Sequence, residues 1–416
     1  HFALQRAYNS LVRANPLVRD FFDGVAYLLE QPHLDAHRLV DLILALGHLL
    51  GATYIHITYT HQELRLAMRA EGALHIIPFP ARRFTPEQSE SLRTTLKQRS
   101  GIDPNNHHQP QQGLISLTLE EGMINARVWY LPLTVGEKIT LEMLEEFTLR
   151  QWNDLGWEMG WGERIIEQIS RLGGLVLIMG HRDSGRTSTL YSLLNQLSRS
   201  KGDLILIENE FRHPLAGIAQ IAYSEDQSGR GVAEMLKEIL VHDPDIIAVD
   251  DVDSPELLKS VLYVASNGPT MIGVVPQGEV LYGLLQLLTW GIDPVSLASM
   301  VRVIIAQKLR PRLCVHCREE VEDLTPFKRY TTIRLSPPLF VARGCRHCYY
   351  TGRSGRLALF EILIPDETFR ETLITSPTYA QLRSAALKSS WYTFAHDALQ
   401  KAHQGLLDVR DLIVIG

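Results

Sequence analysis

Residues 174–189, Gly-Leu-Val-Leu-Ile-Met-Gly-His-Arg-Asp-Ser-Gly-Arg-Thr-Ser-Thr, constrain the fold of this chain more than any other stretch. Leu175 to Met179 are an unbroken apolar run that reads as a buried strand, a glycine-bearing loop follows, and the sequence from Arg186 suits a helix. The spacing is that of GxxxxGK[ST], in which loop amides and a helix N-terminus cradle phosphate. Gly180, Asp183, Ser184, Gly185, Arg186, Thr187 and Ser188 are therefore candidate nucleotide contacts. Arg186 stands where the pattern has lysine; its charge is the same, but a planar guanidinium replaces a compact ammonium. Thr187 keeps the hydroxyl that coordinates Mg²⁺. An ordinary strand-to-helix turn with no ligand has the same local sequence, and the residues leave that reading open.

A strand feeding a helix in this way needs parallel neighbours. Strand-like runs recur at Leu204–Ile207, Ile246–Val249 and Met271–Val275, separated by helical stretches such as Ala233–Val241 and Pro255–Ala265. The alternation predicts a mostly parallel sheet with helices on both faces.

The rest of the chain is ample for further domains. Its 416 residues and 45% hydrophobic content support two or three cores, as expected of a soluble globular protein. Against 47 Asp plus Glu, 41 Lys plus Arg give a net charge of -6, so no global field draws the chain to nucleic acid or anionic lipid. The longest apolar stretch, Leu39 to Ala52, is broken by Asp41 and His48 and falls short of the roughly 20 residues a membrane span needs. The sequence opens at His1 rather than at methionine, with no signal-peptide pattern, which points to a longer natural chain and leaves what precedes His1 open.

Four cysteines fall as Cys314-Val-His-Cys317 and Cys345-Arg-His-Cys348, with 27 residues between the pairs. Two CxxC knuckles can turn four thiolates toward one ion, and Zn²⁺ takes such a tetrahedral set at about 2.3 Å. Disulfides or idle thiols are the competing readings. A zinc site and a reducing, cytoplasmic setting are expected.

Residues 1–36 read as short helices punctuated by Pro16 and Pro32, a linker or the remnant of a preceding domain. Residues 37–146 read as an α+β domain: a helix from His37 to Gly51, strands at 52–58 and 63–69, and a strand pair at 114–119 and 125–131. Residues 147–161, with three tryptophans, read as a connector into the first helix of a domain spanning 147–416. Residues 294–416 are expected to be mainly helical around a zinc module at about 310–356.

Strung together, these segments resemble one family: the ATPases of bacterial type II secretion and type IV pilus assembly. Gly51-Ala-Thr-Tyr-Ile-His-Ile57 is similar to GASDIHI, and Leu64 to Gly72 to LRVRFRIDG. Leu131-Pro132 with Gly136-Glu137-Lys138 resembles LPT…GE[RK], and Asp243-Pro-Asp-Ile-Ile247 resembles DPDII. Ala306-Gln-Lys-Leu-Arg310 through Cys317 resembles AQRLVRRLCPHC, and Thr351–Arg356 with Phe360-Glu361 resembles TGYxGRxGIFE. The match is nearly colinear from about residue 37 to 365. It implies a RecA-like P-loop α/β motor domain, preceded by an α+β domain and carrying the four-cysteine zinc module.

The departures fall on the chemistry. Beside Arg186, the family's VGEIRD reads Val249-Asp-Asp-Val-Asp-Ser254, so Asp251 replaces the glutamate that positions the attacking water, one methylene shorter. Misplacement on that scale costs roughly a hundredfold in rate. Asp250 can hold Mg²⁺ through water, although a solvated acidic turn fits the same residues. The acidic box IEDPVE reads Ile207-Glu-Asn-Glu-Phe-Arg212, retaining Glu208, and the histidine box TLHT reads Val274-Val-Pro-Gln277, which cannot sense a γ-phosphate. Of the arginines that the family aims across a subunit boundary, Arg65, Arg69 and Arg127 remain; surface strand arginines that are merely solvated or ion-paired compete with that reading. His316 and His347 are alternative metal ligands, with four thiolates the preferred set.

The resemblance implies a cytoplasmic protein peripheral to the inner membrane, forming a homo-hexamer or a mixed ring with an active paralogue on a membrane platform protein. Three functions follow: a degenerate ATPase-like component with hydrolysis impaired or lost; a slow ATPase using the Arg-substituted loop with Asp251 and Glu208 as catalytic groups; or a nucleic-acid motor of the conjugation or DNA-uptake type. No basic stripe with interleaved aromatics supports the last. ATP and Mg²⁺ are the ligands at issue, with Zn²⁺ held by Cys314, Cys317, Cys345 and Cys348.

Overall fold

The computed structural model describes residues 16–31, 34–60, 64–70, 73–77, 84–119, 122–144, 147–170, 173–199, 202–223, 231–328, 330–348, 351–375 and 377–415. The chain divides into two compact units, one of His1–Glu146 with Leu313–Glu319 and Ala342–Gly355, the other of Phe147–Arg312, Glu320–Val341 and Arg356–Gly416.

In the first unit the strands β1 (Ala52–Tyr59), β2 (Leu64–Ala70), β3 (Ala73–Ile77), β4 (Gln111–Leu119), β5 (Gly122–Pro132) and β6 (Glu137–Leu144) form a sheet in the order β3-β2-β1-β6-β5-β4. All five pairings are antiparallel. Alternation sends Ile55, Ile57, Leu66, Met68, Val128, Ile139 and Leu141 to a single core with Leu39, Ile43, Leu92 and Leu96 of the helices Ala36–Leu49 and Pro86–Arg99. The helix Pro16–Leu29 adds Phe21, Val25 and Leu28 to that core. Gly136, at φ +89°, makes the β5–β6 turn, where a Cβ would stand 1.9 Å from the Tyr59 carbonyl oxygen. Glu63, the first residue of the expected second strand, lies outside the described residues.

The second unit carries β7 (Gly174–Met179), β8 (Leu204–Glu208), β9 (Ile218–Ala222), β10 (Ile246–Val249), β11 (Thr270–Val275) and β12 (Val301–Leu313). A short pair, β13 (Arg318–Glu320) and β14 (Phe340–Ala342), stands apart, and β15 (Arg353–Ile364) and β16 (Ser390–Tyr392) complete the large sheet. Its order is β16-β15-β12-β7-β11-β10-β8-β9. The pairs from β12 to β9 are parallel, and β15–β16 is antiparallel. Leu175, Leu177 and Met179 enter one apolar cluster and Val176 and Ile178 another, so both faces are covered, as the strand-helix alternation predicts.

The expectation of a mainly helical segment from 294 to 416 is corrected here. β12 and β15 are strands of 13 and 12 residues, with β12 directly beside β7. Val303 to Ala306 are fully buried, and a continuous apolar run gives no period-2 signal; the β-branched Val-Ile-Ile content was the available clue. The helices Glu367–Ile374, Tyr379–Ala386 and Phe394–His403 follow. Among the described residues no helix is long and apolar enough to cross a membrane.

Candidate functional site

In a parallel sheet the strand C-termini share one edge, and ligands collect there. Three backbone hydrogen bonds tie that edge together. The Gly180 N–H donates to the Val275 carbonyl at 3.3 Å, Asp250 N–H to Ile207 at 3.0 Å, and Val252 N–H to Val274 at 2.7 Å. They gather the 180–187 loop after β7, Glu208 at the end of β8, Asp250 and Asp251 after β10, and Pro276-Gln277 after β11.

The loop turns through Asp183 at φ +63° and Gly185 at φ +86°, the latter being the N-cap of the helix Arg186–Leu197. Two glycines are required by space. A Cβ on Gly180 would stand 2.1 Å from Ser184 Oγ, and one on Gly185 would stand 2.6 Å from Gln307 Nε2. Gln307, buried on β12, also accepts from the Thr189 hydroxyl, which fastens the first turn of the helix to the sheet. Thr187 and Ser188 are half-buried on that turn.

Four polar atoms at this edge are buried without a hydrogen-bond partner: Ser184 Oγ, Arg186 Nη1, Asp250 Oδ1 and Asp251 Oδ1. An acidic turn facing solvent would not bury its oxygens, so the bland reading of Asp250-Asp251 loses ground. Burial, with Asp251 and Glu208 adding repulsion, pushes the Asp250 carboxyl up to about 6, against the pull of Arg186 and Arg212. Burial also raises Asp251, which feels Arg186 and Arg182 in the other direction. Unpartnered carboxylate oxygens call for a cation and an unpartnered guanidinium N–H for an anion. A divalent cation carrying phosphate satisfies both demands.

Glu208 is committed elsewhere. The Tyr191 hydroxyl donates to Oε2 and Gln220 Nε2 to Oε1 at 3.0 Å, leaving the side chain 1% exposed. Gln220 is held in turn by the His213 carbonyl at 3.0 Å and by the Leu215 N–H at 2.8 Å. Arg212 pairs with Glu210 at 2.8 Å. Tyr191, Gln220 and Gln307 are the residues that motif reading passed over; only Gln307 sat inside a recognised string.

Arg65, Arg69 and Arg127 belong to the first unit, on the strand positions that alternate with its core. Register places Arg69 opposite Tyr54, Tyr54 opposite Glu142, and Glu142 opposite Arg127, one row across four strands, with Arg65 opposite Thr58. Arg127 Nη1 lies 3.6 Å from Glu142 Oε2.

The four cysteine sulfurs lie within 4.8 Å of one another and form no disulfide. Cys314–Cys345, Cys317–Cys348 and Cys345–Cys348 are separated by 3.9, 3.8 and 3.8 Å. A tetrahedron with metal–sulfur bonds of about 2.3 Å has edges of about 3.8 Å, so the set fits one ion. Backbone donors support one sulfur of the second knuckle: Cys345 and Gly352 N–H reach Cys348 Sγ at 3.1 and 3.2 Å. Burial raises the Cys348 thiol, but those two donors together with hydrogen bonds from the Cys317 and Cys345 thiols bring it down to about 7, while burial pushes Cys317 up to about 12. His316 and His347 are exposed and stack on each other, centroids 4.1 Å apart, outside the ligand set.

The family model for type II/IV secretion system proteins matches residues 34–414. The chain belongs to this family. It is 28% identical over 364 residues to the protein transport protein HofB homolog of Escherichia coli K12, covering 87% of this chain and 77% of that one. It is 25% identical over 379 residues to the type II secretion system ATPase E of Vibrio cholerae, covering 90% and 74%. Against the type IV pilus assembly ATPase PilB of Thermus thermophilus it is 26% identical over 392 residues, covering 92% of this chain and 43% of that relative, so it spans less than half of that protein. In fold it is similar to the Legionella pneumophila ATPase DotB, with TM-score 0.63, 18% identity and coverage of 91% and 95%. The pilus retraction motor PilT with bound ADP gives TM-score 0.54, 19% identity and coverage of 91% and 96%. The mixed α/β fold is thus that of secretion-family ATPases.

Proposed function

We propose that this chain is a nucleotide-binding, RecA-like component of a type II secretion or type IV pilus machine whose ATP hydrolysis is impaired. The observation that carries the reading is the division of labour among the acids. Glu208 spends both oxygens on Tyr191 and Gln220, position 276 is proline, and the acids left with an unpartnered oxygen at this edge are the short Asp250 and Asp251. Binding groups remain while the groups that would organise an attacking water are shortened, occupied or replaced. In this reading the 182–186 amides and Arg186 take phosphate, and Thr187 with Asp250 holds Mg²⁺, which when bound offsets phosphate charge.

The four-thiolate set is proposed to hold Zn²⁺. The family resemblance also implies, as part of this proposal, a cytoplasmic place beside the inner membrane, in a hexamer or a mixed ring with an active paralogue, docked on a platform protein; the names of the relatives support the secretion or pilus machine alone. One observation favours a slow working motor as a second reading: Arg186 Nη1 is free of internal bonds and can meet a phosphate. Nothing comparable favours a DNA motor.

Titration of zinc-loaded protein with Mg-ATP, followed by phosphate release on the same sample, tests this. Saturable binding with turnover at least about a hundredfold below an ordinary enzyme's value of roughly 10 per second is expected. Turnover at the ordinary value, or no binding at millimolar ligand, would sink the proposal.

A further inference from the structure

Glu361 is a buried acid that the nucleotide site does not explain. It stands on β15 at 5% exposure, and each of its oxygens accepts one hydrogen bond: Oε2 from the Val280 N–H at 2.9 Å, Oε1 from Trp391 Nε1 at 3.0 Å. Val280 is the first residue of the helix Val280–Thr289. A helix start leaves its first N–H groups without partners, and a side chain at the N-cap ordinarily supplies an acceptor. Here the N-cap, Glu279, makes no capping bond and pairs with Lys308 at 2.8 Å instead. The acceptor comes from 81 residues further on.

The segment fixed in this way presses on the candidate phosphate loop. A Cβ on Gly278 would stand 2.3 Å from His181 Nε2 and 2.9 Å from the ring's Cδ2, so this backbone and the His181 ring are in direct contact. Further along the helix, a Cβ on Gly283 would stand 2.7 Å from the Sδ of Met179, the last residue of β7. The helix start thus packs against Met179 and His181, the residues on either side of Gly180 where the loop leaves β7, and Glu361 holds it through the Val280 N–H.

We propose that Glu361 is a positioning residue for nucleotide binding: by accepting from Val280 it fixes the start of helix 280–289 and with it Gly278 against His181. The proposal rests on the nucleotide reading above, and the test separates the two. In Glu361→Gln one acceptor remains and the amide NH₂ faces a donor. The side chain can satisfy Val280 or Trp391, not both. Trp391→Phe removes the competing donor, so the double variant can turn its amide oxygen to Val280.

The probe is ADP, titrated calorimetrically into the metal-loaded protein, with amide hydrogen exchange read over 278–283. Expected are weaker ADP binding and exchange faster by about fivefold, the scale of a lost helix-start acceptor, in Glu361→Gln. Little change is expected in Trp391→Phe, with recovery of both signals in the double variant. Loss of packing alone predicts a double variant worse than either single one. Should Glu361→Gln fail to fold, Gly278→Ala weakens ADP binding through the same contact and His181→Ala restores it by clearing the ring. Parent protein that does not bind ADP overturns the nucleotide reading and this proposal with it. Parent binding that Glu361→Gln leaves unchanged overturns this proposal alone.

Discussion

Asp250 is where binding and stability pull in opposite directions at the level of a single residue. Burial first, then Asp251 and Glu208, raise its carboxyl from 3.8 to about 6. The folded chain therefore keeps a proton in a range where the unfolded chain has released it. Folding takes up protons there, so stability falls as pH climbs from about 4 to about 6, and by pH 7 the full penalty, at most roughly 3 kcal/mol, is in place. Asp250→Asn removes that charge. In chelator, at pH 7, the transition of the second unit should come at a higher temperature in the variant than in the parent and depend less on pH, while Mg-dependent nucleotide binding is lost. Equal or lower melting across pH 5 to 8 would mean that Asp250 is not held against its own repulsion. The substitution at Arg186 and the shortening at Asp251 were readable from motif spacing, because spacing fixes backbone position. The capture of Glu208 was not. Its partners Tyr191 and Gln220 lie 17 and 12 residues away in sequence and meet it only once β8, β9 and the helix after the loop are packed.

Among elements, the helix Pro16–Leu29 shows how a segment with little motif content becomes structural. Read alone, residues 1–36 suggest a linker, since short proline-punctuated helices carry no visible partner. Phe21, Val25 and Leu28 are nonetheless 4%, 0% and 3% exposed within the first unit's core. Phe21→Ala should destabilise that unit by about 3 kcal/mol, the usual scale for a core phenylalanine truncation. Because the chain has two units, a single unfolding midpoint is not the right measure. Exchange of the β1 and β6 amides should accelerate, and that of β7 and β11 should not. Unchanged β1 exchange would return the helix to the status of a linker. The same scale decides which elements local sequence announces. The helix Pro86–Arg99 announces itself by a capping box, Thr85 with Gln88 at 3.0 and 3.2 Å, a signal contained within four residues. β12 and β15 gave no such signal. Only their inner stretches, Val303–Gln307 and Leu359–Leu363, are buried on both faces by the sheet, and buried stretches lose the alternation that marks half-buried strands.

At the scale of the whole molecule, the cysteine cluster is assembled from segments that leave and re-enter the first unit through stretches of the second. Its two knuckles are 27 residues apart in sequence, and backbone bonds join them: Cys314 N–H to the Gly352 carbonyl at 3.0 Å and Arg343 N–H to the Cys317 carbonyl at 3.3 Å. Without a cation, burial holds Cys314 and Cys317 as thiols, while Cys348 sits at about 7. One divalent ion converts the set to thiolates and closes the intervening loop, which ties metal occupancy to local folding. Purified protein is therefore expected to carry one zinc per chain, with four thiols unreactive toward a thiol reagent. A strong chelator, or acidification that lets protons compete for sulfur, should release the zinc, expose all four thiols and open the two knuckles, residues 314–319 and 342–348, to proteolysis. The amides of β7, β10 and β11, whose core also holds Leu324, Leu335 and Leu339, should stay protected throughout. Four thiols that react at full rate in untreated protein, unaffected by chelator, would refute the metal site. Simultaneous loss of β7 protection on chelation would instead make the cluster a determinant of the whole fold rather than of its own knuckles.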